Sequence, residues 1–237
     1  MIPIHAGIIL AAGVGNRFQS DKPKQYFTID DKPILFYTIQ SMLKASILDR
    51  IIIVFSKPYL EYGDNMIKET FSLQEQTRIH VCAGGETRQE SLYNGVLYAQ
   101  QTFDAPQLKI VSHDAARPLL PEEVIDENIA LIQPGKSVDT VRRVYDTMLY
   151  KDESGKIDFI DRDRLFSGLT PQSFYAHDYL NAYEQLGDTH STYTCACSLM
   201  AAAGYEILLY ITNHPIHKVT VPEDATIIKQ HLKEWAL

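Results

Sequence analysis

The chain has 237 residues, enough for one large domain or one domain with an excursion, and 45% hydrophobic with 22% charged content suits a packed globular core. With 22 basic against 30 acidic residues the net charge is −8, which argues against a nucleic-acid or acidic-membrane surface and confines any phosphate site to a local basic pocket. No apolar run approaches a membrane span, Met1-Ile2-Pro3-Ile4-His5 lacks the features of a signal peptide, and Cys82, Cys195 and Cys197 have no zinc-ligand spacing, so a reduced, cytoplasmic setting is predicted.

In chain order, the apolar run Ile8-Ile9-Leu10-Ala11-Ala12 predicts a buried strand that stops at a glycine-bearing turn, Gly13-Val14-Gly15-Asn16-Arg17. Apolar spacing over Ile34–Leu43 predicts a helix, and the β-branched run Arg50–Phe55 a strand. A helix is expected over Tyr59–Phe71 and a strand over Ile79–Cys82. Gly84-Gly85 then turns into a helix over Glu86–Gln101. Leu108–Val111 predicts a strand ending at His113-Asp114, and Pro121 opens a helix with Glu122 and Glu123 in its first turn, where the helix dipole favours acids. This alternation predicts an α/β fold, a mostly parallel sheet flanked by helices, with ligands at the carboxyl ends of the strands.

The rhythm changes after Ser137. Asp139–Tyr150 and Lys156–Ile160 predict two strands joined by Asp152-Glu153-Ser154-Gly155, a β-arm inserted at about 139–160 in a single domain spanning 1–237. On its residues alone this is a solvated surface hairpin.

Three cations, Arg17, Lys22 and Lys24, fall within eight residues after the first turn, opposed only by Asp21. Gly13 and Gly15 allow backbone N–H groups to face an anion, Arg17 offers a planar fork and Lys24 a mobile point charge. The third glycine of a dinucleotide fingerprint is missing, because position 18 is Phe18, and no Gly-Lys-Ser/Thr phosphate loop is present. A polyphosphate site and a plain structural turn both remain open on these residues.

Gly84-Gly85-Glu86-Thr87-Arg88-Gln89-Glu90-Ser91 brings a second pair of glycines to a helix N-terminus, with Arg88 and Ser91 on one helical face. The plain alternative is a turn with a surface arginine. Asp114, in His113-Asp114-Ala115-Ala116-Arg117-Pro118, sits where α/β enzymes place catalytic groups, and also where a capping carboxylate is common. Asp146-Thr147-Met148 and Asp161-Arg162-Asp163-Arg164 add surface charge around the arm. Thr192–Ser198 and His217–Asp224 complete the candidates, with Lys218 expected at the start of a short strand.

Leu10-Ala11-Ala12-Gly13-x-Gly15-x-Arg17 with Lys22-Pro23-Lys24-Gln25 resembles the signature loop of sugar-phosphate nucleotidyltransferases. The Pro-Lys-Gln ending points to the branch that holds 2-C-methyl-D-erythritol 4-phosphate cytidylyltransferase and ribitol-5-phosphate cytidylyltransferase. The resemblance covers nearly the whole chain. It implies a Rossmann-like twisted sheet with a protruding β-arm that reaches a partner subunit, hence a homodimer with shared sites. It implies CTP and a small polyol phosphate as partners, no nucleic acid and no membrane.

By the same resemblance Arg17, Lys24 and Lys218 are catalytic. Ala11, Ala12, Gly13, Gly15, Gly85, Arg88, Ser91 and Ala115 bind CTP, Gly85 and Ser91 reading the cytosine. Asp114 holds magnesium. Arg117, Thr147, Arg162 and Thr194 take the acceptor. Two positions depart from the family: Cys195 stands where an Asp is usual and Ile216 where an Asn is usual. The motifs around Asp114 and Lys218 look like the methylerythritol enzyme of isoprenoid biosynthesis, while Val138-Asp139-Thr140-Val141 and Ala196-Cys197 look more like the ribitol enzyme; the resemblance favours 2-C-methyl-D-erythritol 4-phosphate as the acceptor, with D-ribitol 5-phosphate as the alternative. A dehydrogenase is disfavoured by Ser56, where a ribose-binding acid would follow the second strand. A non-catalytic nucleotide-binding module is the remaining alternative.

Overall fold

The computed structural model describes residues 3–13, 23–103 and 105–235. In chain order the elements are β1 (His5–Ala11), β2 (Thr28–Ile29), β3 (Lys32–Pro33), α1 (Ile34–Lys44), β4 (Arg50–Phe55), α2 (Leu60–Thr70), α3 (Leu73–Gln76), β5 (Ile79–Ala83) and α4 (Arg88–Phe103). They continue with β6 (Lys109–Asp114), α5 (Glu122–Leu131), β7 (Lys136–Arg143), β8 (Met148–Lys151), β9 (Ile157–Ile160), β10 (Phe166–Tyr175), α6 (Ala176–Leu186), α7 (Ala196–Ala202), β11 (Glu206–Ile211) and α8 (Asp224–Trp235). No helix among the described residues is long and apolar enough to cross a membrane.

Seven of these strands form one sheet in the order β11-β7-β10-β6-β1-β4-β5. Every pairing is parallel except those of β10, which runs antiparallel to both β6 and β7. Covered on both faces, the central strands carry continuous apolar runs rather than an alternation. In β4 all five residues from Ile51 to Phe55 are buried. One face, with Ile9, Ile51, Ile53 and Val111, packs against Leu35, Ile39 and Met42 of α1, Met66 and Ile67 of α2 and Ile129 of α5. The other, with Ile8, Ile52, Val54 and Ile110, packs against Leu92 and Val96 of α4, Tyr179 of α6 and Leu199 of α7. Gly95 lets α4 sit close on the sheet: a Cβ there would lie 2.8 Å from Val54 Cγ2.

Three expectations need correcting. The predicted strand Asp139–Tyr150 is two elements. Its first part belongs to β7, which bonds to β10 and β11 across the sheet until Arg143. Only the second part, β8, pairs with β9 in the arm, whose turn closes through Asp152 and Lys156 with Gly155 at φ +89°. The helix after Gly84-Gly85 starts at Arg88 and not at Glu86, because Thr87 Oγ1 accepts the Glu90 N–H at 3.1 Å and caps it. Lys218 is not in a strand. Its segment is irregular, held to the turn after β6 by a backbone bond from Val219 N–H to Ala116 O at 2.8 Å, while the Val219 side chain packs in a small cluster with Ile29, Ile34, Leu119 and Ile228.

Cys195 has a local role. It is the N-cap of α7: its Sγ accepts the Ser198 N–H at 3.4 Å and Ser198 Oγ accepts the Cys195 N–H at 3.3 Å. Sulfur is a weak acceptor for that job, and a carboxylate is among the best N-caps. Cys195→Asp is therefore expected to stabilise the protein by about 0.5–1 kcal/mol, seen as a rise in Tm of roughly 1–4 °C in a thermal melt. An unchanged or lowered Tm refutes the capping role.

Candidate active site

A cleft of about 700 Å³ opens at the carboxyl ends of β1, β4 and β6. Its walls come from four places: Leu10, Ala12 and Gly13 at the end of β1; Lys24 and Gln25; Ser56 to Tyr59 after β4; and Gly84 to Arg88 with Ser91, before and within α4. Asp114, Ala115, Ala116 and Lys218 close the far end. Four cations, Lys24, Lys57, Arg88 and Lys218, line it against two carboxylates, Glu86 and Asp114. In a chain of net charge −8 this is the local basic pocket that an anionic ligand requires.

Asp114 is the electrostatic centre. Its Oδ2 takes Lys218 Nζ at 2.7 Å and its Oδ1 takes Arg88 Nη2 at 3.2 Å. Arg117 Nε lies 3.5 Å from Oδ2, a charge contact without hydrogen-bond geometry. Burial alone would raise the Asp114 carboxyl, but the charges of Arg88, Lys218 and Arg117 outweigh it and hold the group well below the usual carboxylate range. The turn that carries Asp114 is fixed from below. Thr38 Oγ1 of α1 donates to Ala115 O at 2.8 Å and Ser41 Oγ to Pro118 O at 2.9 Å.

His113 is fully buried and fixes the same turn from the side. Its Nε2 lies 3.0 Å from Arg117 O, a pure acceptor, so Nε2 carries the proton. Nδ1 is then an acceptor, taking the Thr170 hydroxyl at 2.9 Å, and Thr170 Oγ1 in turn accepts the Asp114 N–H at 3.3 Å.

Gly84 and Gly85 both meet side chains closely. A Cβ on Gly84 would lie 2.8 Å from Ala12 Cβ and from Ser91 Oγ; one on Gly85 would strike Glu90. Ser91 Oγ accepts the Gly85 N–H at 3.1 Å and so shapes this wall. The loop after β1 has its own clamp: Gln25 Nε2 donates to Ala11 O at 2.7 Å and to Gly13 O at 2.9 Å.

Of the sequence-predicted residues, Ala12, Gly13, Lys24, Gly85, Arg88, Ser91, Asp114, Ala115 and Lys218 line one cleft. Ala11 ends β1 directly beneath it. Gly15 and Arg17 lie outside the described residues. Arg117 is buried and turned inward, with Nη1 donating to Ile216 O at 2.8 Å. That bond uses the backbone of Ile216, whose side chain is buried in the core, so the usual Asn side chain is not needed for it. Thr147 and Arg162 are exposed at the base of the arm and do not line the cleft; Arg162 Nη1 donates to Tyr145 O at 2.7 Å. Thr194 is exposed just before α7 and does not line it either. The sequence reading assigned no role to Gln25, Thr38, Ser41 or Thr170, which position the site. Gln25 was flagged by its motif, whereas the two α1 hydroxyls carry no sequence signal beyond polarity on a buried helical face.

A model of the family described as 2-C-methyl-D-erythritol 4-phosphate cytidylyltransferase (IspD) matches residues 5–234. The chain belongs to this family. It is therefore a cytidylyltransferase, a nucleotidyltransferase enzyme. It is 33% identical over 229 residues to the ribitol-5-phosphate cytidylyltransferase of Vibrio parahaemolyticus, covering 95% of this chain and 94% of that protein. To the protein of the same name from Lactiplantibacillus plantarum it is 30% identical over 222 residues, covering 92% and 94%. The fold matches the crystal structure of 4-diphosphocytidyl-2C-methyl-D-erythritol synthase from Anaerococcus prevotii with a TM-score of 0.79 at 24% identity, over 97% of this chain and 96% of that one.

The residues fit a magnesium ion in one way. Among the described residues no three acid, His or Cys side chains cluster as a metal cage. Asp114 is a single carboxylate beside cations in the cleft, which suits an ion completed by substrate phosphates and water.

Burial pulls the His113 imidazole down to about 4, against the raising effect of its bond to Arg117 O. A buried base with a lowered pKa takes up protons less readily than in the unfolded chain, so stability is full above about pH 6.5 and falls as the pH drops towards 4. The expected loss is about 2–3 kcal/mol over that interval. Urea melts at pH 7 and pH 4.5 measure it, and His113→Gln should flatten that part of the profile. An identical slope in the variant refutes the assignment.

Proposed function

We propose that this cytidylyltransferase transfers CMP from CTP to D-ribitol 5-phosphate, releasing pyrophosphate, with 2-C-methyl-D-erythritol 4-phosphate as the second reading. The observation that carries the chemistry is the cation-lined cleft centred on Asp114. The acceptor is favoured by the names of the relatives at 30% identity and above; the second reading is favoured by the family's own description.

An oxygen of the acceptor phosphate attacks the α-phosphorus of CTP in line. A P–O bond forms to the acceptor phosphate, the bond to the β-phosphate bridging oxygen breaks, and pyrophosphate leaves. The attacking phosphate is already anionic near neutral pH, so no strong general base is required. Catalysis rests on positioning and charge stabilisation.

Ala11, Ala12, Gly13, Gly15 and Ala115 cradle the nucleotide, Gly85 and Ser91 read the cytosine edge, and Arg88 holds Asp114 in place. Arg17 and Lys24 steady the triphosphate. Lys218 bridges the two reactants from the Asp114 end. Magnesium, when bound to Asp114, would supply Lewis-acid charge to phosphate oxygens. Arg117, Thr147, Arg162 and Thr194 serve the acceptor.

The chain is read as one nucleotidyltransferase domain with the arm as its insertion, and as a homodimer. Met148, Leu149, Tyr150, Ile157, Phe159 and Ile160 of the arm are all exposed, Phe159 to 74%. A two-stranded hairpin is marginal alone in water, and this one offers an apolar surface that a second copy would cover. Thr147 and Arg162 would then face the partner's cleft.

Pyrophosphate release from CTP, measured in parallel with each polyol phosphate, tests the reaction. D-ribitol 5-phosphate should give the highest kcat/KM, and Lys24→Ala should cost about 2–4 kcal/mol of transition-state stabilisation. No turnover with any acceptor means a nucleotide-binding module. A Lys24→Ala loss within twofold removes Lys24 from the reaction.

Shared sites are tested by refolding Lys24→Ala and Arg162→Ala together. A mixed dimer collects both lesions in one site and none in the other, so activity should reappear at about a quarter of wild type under random pairing. Mixed dimers that stay inactive refute sharing.

A further inference from the structure

The cleft carries a cation to which the family resemblance gives no role. Lys57 lies on its wall beside Pro58 and Tyr59, in the turn that leaves β4. Its side chain is exposed, and among the described residues its ammonium makes no hydrogen bond and no ion pair. Arg88 and Lys218 differ, because both are bonded to Asp114, which offsets much of their charge. Lys57 therefore brings a charge into the cleft that no carboxylate among the described residues is paired with.

A repeated device sets its position. Pro23-Lys24-Gln25-Tyr26 and Ser56-Lys57-Pro58-Tyr59 are both single 3-10 turns, with lysine second and tyrosine fourth. Each closes by a bond from the tyrosine backbone: Tyr26 N–H to Pro23 O at 3.0 Å and Tyr59 N–H to Ser56 O at 2.9 Å. The two tyrosine rings stack, with centroids 4.7 Å apart and planes 18° from parallel, and Tyr62 of α2 meets Tyr26 edge-on at 5.0 Å. Tyr26 is buried, and its neighbour Gln25 is the clamp on Ala11 O and Gly13 O. The turn of Lys24 is thus pinned to the end of β1, and the turn of Lys57 is pinned to the turn of Lys24. Pro58 stiffens the second turn further. Both lysines line the same cleft, on backbones whose separation the tyrosine stack fixes.

We propose that Lys57 is a further CTP-binding residue, which acts with Lys24 to hold the two terminal phosphates, the pair that leaves as pyrophosphate. This rests on the proposed function. In-line displacement puts the leaving pyrophosphate on the side of the α-phosphorus opposite the attacking oxygen. The acceptor is taken at the Asp114 and Lys218 end. The end of β4 stands two strand spacings from the end of β6, about 10 Å, with β1 between them. A diphosphate directed away from Asp114 therefore runs towards the wall that carries Lys24 and Lys57. Two lysines suit it: each ammonium is a mobile point charge that follows phosphate oxygens as they move.

Titration calorimetry of the full chain with CTP, CMP and pyrophosphate, in buffer containing magnesium, tests this. Lys57 is exposed, so Lys57→Ala should melt with the wild type. Its Kd for CTP and for pyrophosphate should rise about tenfold, while its Kd for CMP, which lacks the terminal phosphates, stays within about twofold. Lys57→Arg keeps the charge and should bind CTP within about threefold of wild type. Wild-type affinity for CTP and pyrophosphate in Lys57→Ala overturns the inference. Equal weakening of CTP and CMP also overturns it, because the contact is then to the nucleoside or the α-phosphate. So does a Lys57→Arg variant as weak as Lys57→Ala. Each of these leaves the proposed reaction standing. A wild type that binds no CTP overturns both.

Discussion

One carboxylate holds the site together. Asp114 is where β6 ends, where α4 presents Arg88 and where the irregular segment carrying Lys218 comes to rest. Without it three cations would face one another in a largely buried pocket, a costly arrangement in a low-dielectric setting. With it they are held still at the mouth of a cleft that must attract an even more highly charged anion. The carboxylate therefore does two things. It neutralises the pocket when empty, and it sets the distance at which Arg88 and Lys218 stand from whatever enters.

Fixing that carboxylate draws on both sides of the sheet. From the α1 side, two hydroxyls take the carbonyls of the turn, and the neutral His113 is threaded between Thr170 and Arg117 O. From the other side, Arg88 is carried by a helix that Gly95 brings close to β1 and β4. Lys218 has no strand to fix it; Val219 does so by filling a small apolar cluster against α1 and α8. Rigid elements thus supply the position and irregular segments supply the chemistry, as is usual in open α/β sheets.

The first half of the chain was legible because its signals are local. Arg50–Phe55 is a continuous β-branched run and was bounded correctly, and the helix at Ile34 was placed within a residue of its observed end. The motifs were legible for the same reason, since glycines, cations and Asp114 stand in short, recognisable strings. What failed depended on partners distant in sequence. β7 reads as half of a hairpin until β10 and β11 are seen to bond to it on both sides. The helices and strands after Ile160, apart from the Lys218 segment, were left unassigned. β11 mixes exposed and half-buried positions without a clear period.

The reversal of β10 has an architectural consequence. Because β7 runs with β6 and β10 runs against both, the chain leaves the sheet after Arg143 and re-enters it at Phe166 on the edge where Asp114 stands. Whatever is spliced between those two points projects from the carboxyl end of β7, yet breaks no ladder of the sheet. Lengthening, shortening or replacing that segment leaves the sheet's own hydrogen bonds untouched while changing what the arm presents. The scaffold and its outreach can therefore drift separately, and a lineage built on this topology can acquire new acceptors or new assemblies by remodelling a single excursion.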